Sequence, residues 1–360
     1  MNHVEVNTPG KTYHIVFRQN FDDLSQMIRE LNKDYSKALI ISDSNVGPLY
    51  AEELTTALAP LGIEIEQTLF PAGEANKNFE TINGFYEHLS ENRYDRKTLI
   101  IALGGGVTGD MAGFTAATYM RGVDFIQVPT SLLAQVDSSS GGKTGIDFNG
   151  YKNIVGAFYQ PELVYINTTT LKSLPSIEFA CGMGEALKHG FIRDKAYLSY
   201  MAKEREAVQS MDHEALAYVI GRSCQIKASV VSEDEKELGI RAILNFGHTI
   251  GHAVERLMDF QLLHGQCVAL GCMASVTMAY HLGDLEASDV DFTKTLLTAY
   301  GLPISNSDLS VDAVYQQLFF DKKTKHNTIN IVMLKALGDC YQNRSLTEQQ
   351  IKEGLKSILK

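Results

Sequence analysis

The sequence predicts an α/β fold: an N-terminal Rossmann-like domain with a mostly parallel sheet, followed by an all-α-dominated C-terminal domain carrying a candidate metal site. Three observations predict it. To about residue 170, short apolar runs alternate with amphipathic helical patterns. One of those runs leads straight into a glycine-rich loop. After about residue 176, strand patterns nearly vanish and long helical segments take over, one of them holding clustered histidines.

Candidate strands are residues 13–17, 38–42, 63–69, 98–103, 124–128 and 163–167. Between them, residues 21–31, 48–61 and 79–92 show helical periodicity, with Pro48 suited to a first helical position. Pro175 interrupts the chain near Lys172 to Ser176. The boundary is placed there, giving domains 1–174 and 175–360, with an active-site cleft expected between them. In the second domain, one hairpin is expected to pair residues 329–334 with those after Gly338, and Ser345 with Glu348 has the spacing of a capping box before a terminal helix.

Composition removes whole classes of function. A formal net charge of -11 argues against a nucleic-acid or anionic-membrane partner, so an anionic ligand must be met by a local basic cluster. The five cysteines are odd in number and irregularly spaced, which reads as reduced thiols in a cytoplasmic protein. No basic region followed by an apolar run opens the chain, so no secretion signal is expected. The most apolar long segment, residues 267–282, falls short of a bilayer span and reads as a buried helix.

In LIIALGGGVTGD, Gly104, Gly106 and Gly109 stand in GxGxxG register after a buried strand and at a helix start. Glycines there let a backbone approach a pyrophosphate, whose charge the helix N-terminus favours. The acid expected about 20 residues on, at the end of the next strand, is not obvious, because Asp124 falls at a strand start. Asp43 and Asn45, ending an earlier strand, could bind ribose hydroxyls if that strand lies beside the glycine loop; otherwise they make an ordinary turn.

The stretch VPTSLLAQVDSSSGGKTGIDFNGYKN is too polar for a core and reads as a binding loop. Gly142-Lys143-Thr144 lacks the leading glycine of a Walker loop, which excludes an ATPase of that type. Further on, Glu185 and Lys188 stand three apart on a helix, as an ion pair or as a ligand carboxylate beside a substrate-binding lysine.

In LNFGHTIGHAVERLMDFQLLHGQCV, His248 and His252 are four apart and leave one helix face, and His264 follows after a break. Imidazoles clustered in a chain without CxxC suit zinc with nitrogen and oxygen ligands, the oxygen coming from elsewhere. The alternative is two histidines satisfied by ordinary partners.

Taken together, GEANK (Gly73 to Lys77), LGGGVTGD, VPTSLLAQVDSSSGGKTGID, YKNIVGAF, GMGEALKHG, LNFGHTIGHAVE, LLHG and DKK resemble the 3-dehydroquinate synthase family of sugar-phosphate cyclases, in family order from Asp43 to Lys323. The resemblance implies an NAD domain joined to a helical metal-binding domain. It also implies conversion of 3-deoxy-D-arabino-heptulosonate 7-phosphate to 3-dehydroquinate and phosphate, a step of the shikimate pathway.

Carried over by position, the resemblance makes Glu185, His248 and His264 the ligands of zinc or cobalt. That replaces the helix-face pair, leaving His252 as a neighbouring active-site residue. NAD would contact Asp43, Asn45, Glu74, Lys77, Gly105, Gly106, Asp110, Thr130, Ser131, Thr170, Ser173, Leu174 and Glu178, with Lys143 and Lys152 also at the cofactor. Lys143, Asn153 and His252 would surround the substrate phosphate, with Arg121 supplied by the second subunit of a homodimer. Lys227 and Arg241 would hold the substrate carboxylate, and Asp137, Lys188 and Asn245 would address hydroxyls near the metal. Lys152 and one of Lys322 and Lys323 complete the pocket.

Two departures from the family pattern are Gln266, where glutamate is common, and Gly184, where alanine is common. The first makes a contact behind the metal ligands neutral. The implied chemistry oxidises an alcohol transiently, expels phosphate, which can act as its own base, then reduces the ketone and closes a ring. A 2-deoxy-scyllo-inosose or valiolone-type cyclase, or a metal-dependent polyol dehydrogenase, is the rival reading; Lys227 and Arg241 favour the carboxylate-bearing substrate.

Overall fold

A computed structural model describes residues 3–259, 261–320 and 329–359. The chain divides into two compact units, one of Met1–Leu174 with Lys227–Glu235, the other of Pro175–Ile226 with Lys236–Lys360. The sequence placed residues 227–235 wholly in the second unit. They continue a helix begun in the second unit, and an unbroken helix gives no compositional sign that its last turns pack elsewhere.

The first unit is built on a seven-stranded sheet. Its strands are β1 (His3–Asn7), β2 (Thr12–Arg18), β3 (Lys37–Asp43), β4 (Glu64–Phe70), β5 (Thr98–Gly104), β6 (Asp124–Pro129) and β9 (Leu163–Asn167), in the order β1-β2-β9-β6-β5-β3-β4. All neighbours are parallel except β1 with β2. Helices α1 (Leu24–Glu30) and α2 (Gly47–Leu58, with a proline in its first turn) cover one face; α3 (Phe79–Glu91) and α4 (Gly106–Thr118) cover the other. Leu54 and Leu58 pack on Ile40 and Ile101 on the first face, and Ile82 and Met111 join Ile41 and Ile100 on the second. Burial of each such side chain contributes about 1.5–3 kcal/mol, which is why β5, buried at every position, reads as a continuous apolar run.

From adjacent strands, α2 leaves the end of β3 for one face and α4 leaves the end of β5 for the other. This is a topological switch point, where open α/β sheets bind ligands. The condition attached to Asp43 is therefore met, since its strand lies directly beside the glycine loop.

Strand β1 was not expected, and the polar stretch read as a loop contains an antiparallel hairpin, β7 (Lys143–Phe148) with β8 (Tyr151–Phe158). Gly145, one of the glycines in that stretch, sits opposite Gly156 in the ladder. A Cβ on Gly156 would lie 2.1 Å from the Thr144 carbonyl oxygen, so close strand approach, not chain reversal, requires glycine there.

The second unit contains α5 (Ser176–Arg193), α6 (Lys195–Lys203), α7 (Arg205–Gln209), most of α8 (His213–Glu233), α9 (His248–Leu257), α10 (His264–Leu282), α11 (Ala287–Ala299), α12 (Val311–Gln317) and α13 (Glu348–Lys356). Its hairpin pairs β10 (Ile331–Ala336) with β11 (Asp339–Asn343). Helix α10 is the core of this unit, buried from Cys267 to Ala279 and packed by α5, α9, α11, α13 and β10. Among the described residues no helix is long and apolar enough to cross a membrane. The terminal helix is capped by Thr347 with Gln350, not by Ser345, whose hydroxyl is taken by Asn343.

Candidate active site

In the second unit the chain brings a carboxylate and three imidazoles together. Glu185 lies on α5, His248 and His252 on α9, and His264 opens α10. Backbone contact at glycines allows these helices to approach. A Cβ on Gly265 would stand 2.3 Å from the Cys181 carbonyl oxygen of α5, and one on Gly271 would stand 1.9 Å from the Gly247 carbonyl oxygen before α9. Gly184 is less constrained, since a Cβ there would be 3.0 Å from the Gly265 oxygen.

Oε1 of Glu185 lies 3.4 Å from His248 Nε2 and 3.5 Å from His264 Nε2. Two ligand atoms on a tetrahedral zinc, each about 2.0–2.2 Å from it, are separated by about 3.3–3.6 Å, so these contacts have the length of tetrahedron edges. The Glu185 carboxylate is 1% exposed, and neither of its oxygens accepts a hydrogen bond of good geometry. Lys188 makes an ion-pair contact with Oε2. A buried carboxylate in this condition, faced by two ring nitrogens, fits a divalent cation. Ligating atoms of His248, His252 and His264 also lie within 4.8 Å of one another.

The second ring nitrogens are engaged. His248 Nδ1 is 3.1 Å from the Phe246 carbonyl oxygen, to which it donates when Nε2 carries the lone pair. His264 Nδ1 is 3.7 Å from Glu255 Oε2. Burial would raise the Glu185 carboxyl, but Lys188 and His248 hold it well below the usual carboxylate range. Burial lowers His248. In His264 the same burial is outweighed by Glu185 and Glu255, which push it up to about 9.

The side-chain oxygen of Gln266 accepts from the Leu263 N–H at 3.0 Å and caps α10. Asn245 donates to Glu237 Oε1 at 2.6 Å and to the Ala242 carbonyl at 3.1 Å. Arg241 is buried nearby in the chain. Burial raises the carboxyl of Glu178, in the first turn of α5. Lys322 and Lys323 lie outside the described residues.

In the first unit, Asp43, Asn45, Gly105, Gly106, Thr130 and Ser131 lie at or just after the carboxyl ends of β3, β5 and β6. Gly105 is the extended N-cap of α4, and Cβ atoms on Gly105 and Gly106 would reach 3.4 Å and 3.0 Å from the hydroxyls of Ser131 and Ser138. This cradle, open to backbone approach beneath a helix N-terminus, fits a pyrophosphate. Asp43 Oδ1 accepts from the backbone N–H of Asn45 and Val46, which is the turn role, while Oδ2 is 3.3 Å from the Thr108 hydroxyl of α4. Asp124, at the opposite end of the sheet, is engaged by Lys33 and Tyr35.

Lys77 ties several candidates together. Its Nζ lies 2.6 Å from both Asp110 Oδ2 and Asn153 Oδ1. Burial works against the ammonium, but Asp110 and Glu74 raise it above its ordinary value. Lys152 is 3.6 Å from Glu74. Lys227 reaches the Asp137 carbonyl at 2.6 Å and its carboxylate at 2.8 Å, at a π-helical turn, a frequent mark of functional sites. Thr130 N–H donates to the Gly104 carbonyl, the Ser131 hydroxyl accepts from Ala134 N–H, and the Ser173 hydroxyl pairs with Tyr50. The Thr170 hydroxyl is fully buried, donating to Asn167, and Leu174 ends this part of the unit. Lys143 is exposed at the start of β7. Arg121 is set apart, in an exposed left-handed turn beyond the far end of α4.

A model of the 3-dehydroquinate synthase N-terminal region matches residues 67–181, and one of its C-terminal region matches 182–324. The chain belongs to the 3-dehydroquinate synthase family. It is 44% identical over 353 residues to the 3-dehydroquinate synthase of Ruminiclostridium cellulolyticum, covering 98% of each chain. It is likewise 44% identical over 356 residues to that of Acetivibrio thermocellus, covering 99% of each.

Among solved structures, a 2-deoxy-scyllo-inosose synthase complexed with carbaglucose-6-phosphate, NAD+ and Co2+ superposes with a TM-score of 0.88 at 24% identity, covering 98% of this chain and 99% of that one. A 2-epi-5-epi-valiolone synthase from Streptomyces hygroscopicus, with NAD+ and Zn2+ bound, gives 0.86 at 24% identity and 96% of each chain. These likenesses establish the shared fold. Family motifs led to most of the residues above, but Glu255 and Glu237 were missed. Glu255 had a signal, because it continues the His248 and His252 stripe at the next helical position.

Proposed function

We propose that this chain is a 3-dehydroquinate synthase, converting 3-deoxy-D-arabino-heptulosonate 7-phosphate to 3-dehydroquinate and phosphate with catalytic NAD and a divalent metal, as a carbon-oxygen lyase of the cytoplasm. The observation that carries the reading, beside family membership, is the buried Glu185 carboxylate faced at 3.4 and 3.5 Å by His248 and His264.

Glu185, His248 and His264 would hold the metal, and the cradle at Gly105 and Gly106 would hold NAD, with Asp43, Asn45, Glu74, Lys77, Asp110, Thr130, Ser131, Thr170, Ser173, Leu174 and Glu178 around it. Bound together, the two groups supply reversible hydride removal and polarisation of the alcohol and ketone oxygens. Lys188 offsets the Glu185 charge and, with Asp137 and Asn245, orients substrate hydroxyls. Lys143, Lys152, Asn153 and His252 receive the phosphate and favour its departure as an anion. Lys227 and Arg241 recognise the carboxylate, the feature that separates this substrate from a simple hexose phosphate.

Arg121 supports a homodimer. The 13 residues of α4 place it about 20 Å from the glycine loop, so a second copy is better placed to bring such a cation to a phosphate.

The test is phosphate release from the heptulosonate phosphate with added NAD. Ring product forming without net NADH supports the reading, whereas NADH accumulating with product would assign a polyol dehydrogenase. Turnover of glucose 6-phosphate in preference would assign an inosose-type cyclase.

A further inference from the structure

We infer that Glu255 is a positioning residue for the metal site, holding His264 in the tautomer and orientation that present Nε2 to the cation. The inference rests on the proposed ligand set of Glu185, His248 and His264. Two faces of one ring carry it: His264 Nε2 lies 3.5 Å from Glu185 Oε1, while Nδ1 lies 3.7 Å from Glu255 Oε2. A carboxylate at Nδ1 favours the proton there and leaves the lone pair on Nε2.

The two imidazole ligands are oriented by different means. His248 has the Phe246 carbonyl two residues away, a neutral acceptor fixed by the local chain. His264 is the first residue of α10, and its Nδ1 faces a charged carboxylate. Its partner comes from α9, where His248, His252 and Glu255 follow at helical spacing, so one helix delivers both a ligand and the group that orients another. Glu255 is only 4% exposed, and a carboxylate is costly to bury unless matched by positive charge or hydrogen bonds.

Gln266, the neighbour from which a neutral contact was expected, carries no charge, and its side-chain oxygen caps Leu263. The carboxylate facing Nδ1 of His264 is that of Glu255. A negative group there raises the basicity of the ring and adds to the field that favours a divalent cation.

The experiment measures zinc affinity by competition with a chromophoric chelator, for wild type, Glu255→Gln and His248→Ala, with the visible spectrum of the cobalt-substituted forms as a second readout. Glu255→Gln keeps the side-chain volume and removes the charge; it is expected to fold normally by circular dichroism, to bind zinc roughly 10–100-fold more weakly, and to shift the cobalt bands. Wild-type affinity and an unchanged spectrum in that variant, while His248→Ala loses zinc, would overturn this inference alone. Zinc retained by His248→Ala would overturn the ligand set and the inference with it. Nitrogen-15 shifts of histidine in the zinc-loaded wild type provide a check independent of any variant's folding: a protonated Nδ1 and metal-bound Nε2 at His264 support the role, and the reverse tautomer refutes it.

Discussion

Glu185 Oε1 and His248 Nε2 face each other at 3.4 Å, from the middle of α5 and the first residue of α9. His252 shares the helix face of His248, one turn further along α9. The expected outcome is that His248→Ala loses both metal and turnover, whereas His252→Ala retains metal and loses activity through its proposed contact with the substrate phosphate. Metal content after gel filtration decides, and equal loss from the two variants would return the assignment to the helix-face pair.

The crossing of α5 and α10 sets the ligand spacing, and it depends on Gly265 more than on Gly184. A methyl group at Gly265 meets backbone atoms at 2.3 and 2.5 Å, which cannot yield without moving a helix. Gly265→Ala should cost on the order of 1–3 kcal/mol and weaken metal binding. Gly184→Ala, at 3.0 Å from a carbonyl oxygen, should be close to neutral. Urea unfolding of both variants measures the contrast.

Lys77 is 3% exposed and stands between Asp110 and Asn153. Lys77→Met strands a carboxylate, and such a loss costs about 3–5 kcal/mol for a fully buried pair. The side chain of Asp110 retains 19% exposure, so the lower end of that range is expected. Adding Asp110→Asn should recover part of the loss, a coupling visible in a double-mutant unfolding cycle. NAD affinity, followed by fluorescence titration, should fall in both single variants.

Redox neutrality gives a prediction of its own. Because the proposed cyclisation returns the hydride it takes, absorbance of reduced nicotinamide should stay near the enzyme concentration through many turnovers. A continuous rise matching product would remove the cyclase reading.

Arg241 is 2% exposed and is the proposed carboxylate partner in the second unit. Arg241→Ala should reduce kcat/KM for the heptulosonate phosphate by the equivalent of about 2–5 kcal/mol in transition-state binding, leaving NAD and metal binding nearly unchanged. An unimpaired variant would shift the preferred substrate towards one without a carboxylate.

What the sequence determined by itself was set by local periodicity. Short apolar runs marked the six parallel strands, most completely in β5, because a strand covered on both faces must be apolar at nearly every position. The change to helical spacing near Pro175 and the ordered family motifs were equally local. The β7–β8 hairpin was illegible for the same reason: its glycines serve contacts across a ladder, and composition cannot distinguish that from a turn. Only the tertiary structure decided which groups converge. Helical spacing proposed His252 as the partner of His248, while the crossing of α5 and α10 brought Glu185 to face His248 and His264, and the α9 stripe brought Glu255 behind His264. Periodicity fixes which face of its own element a side chain occupies; which face of another element it meets depends on backbone approach at residues such as Gly265, distant along the chain from the carboxylate they help to place.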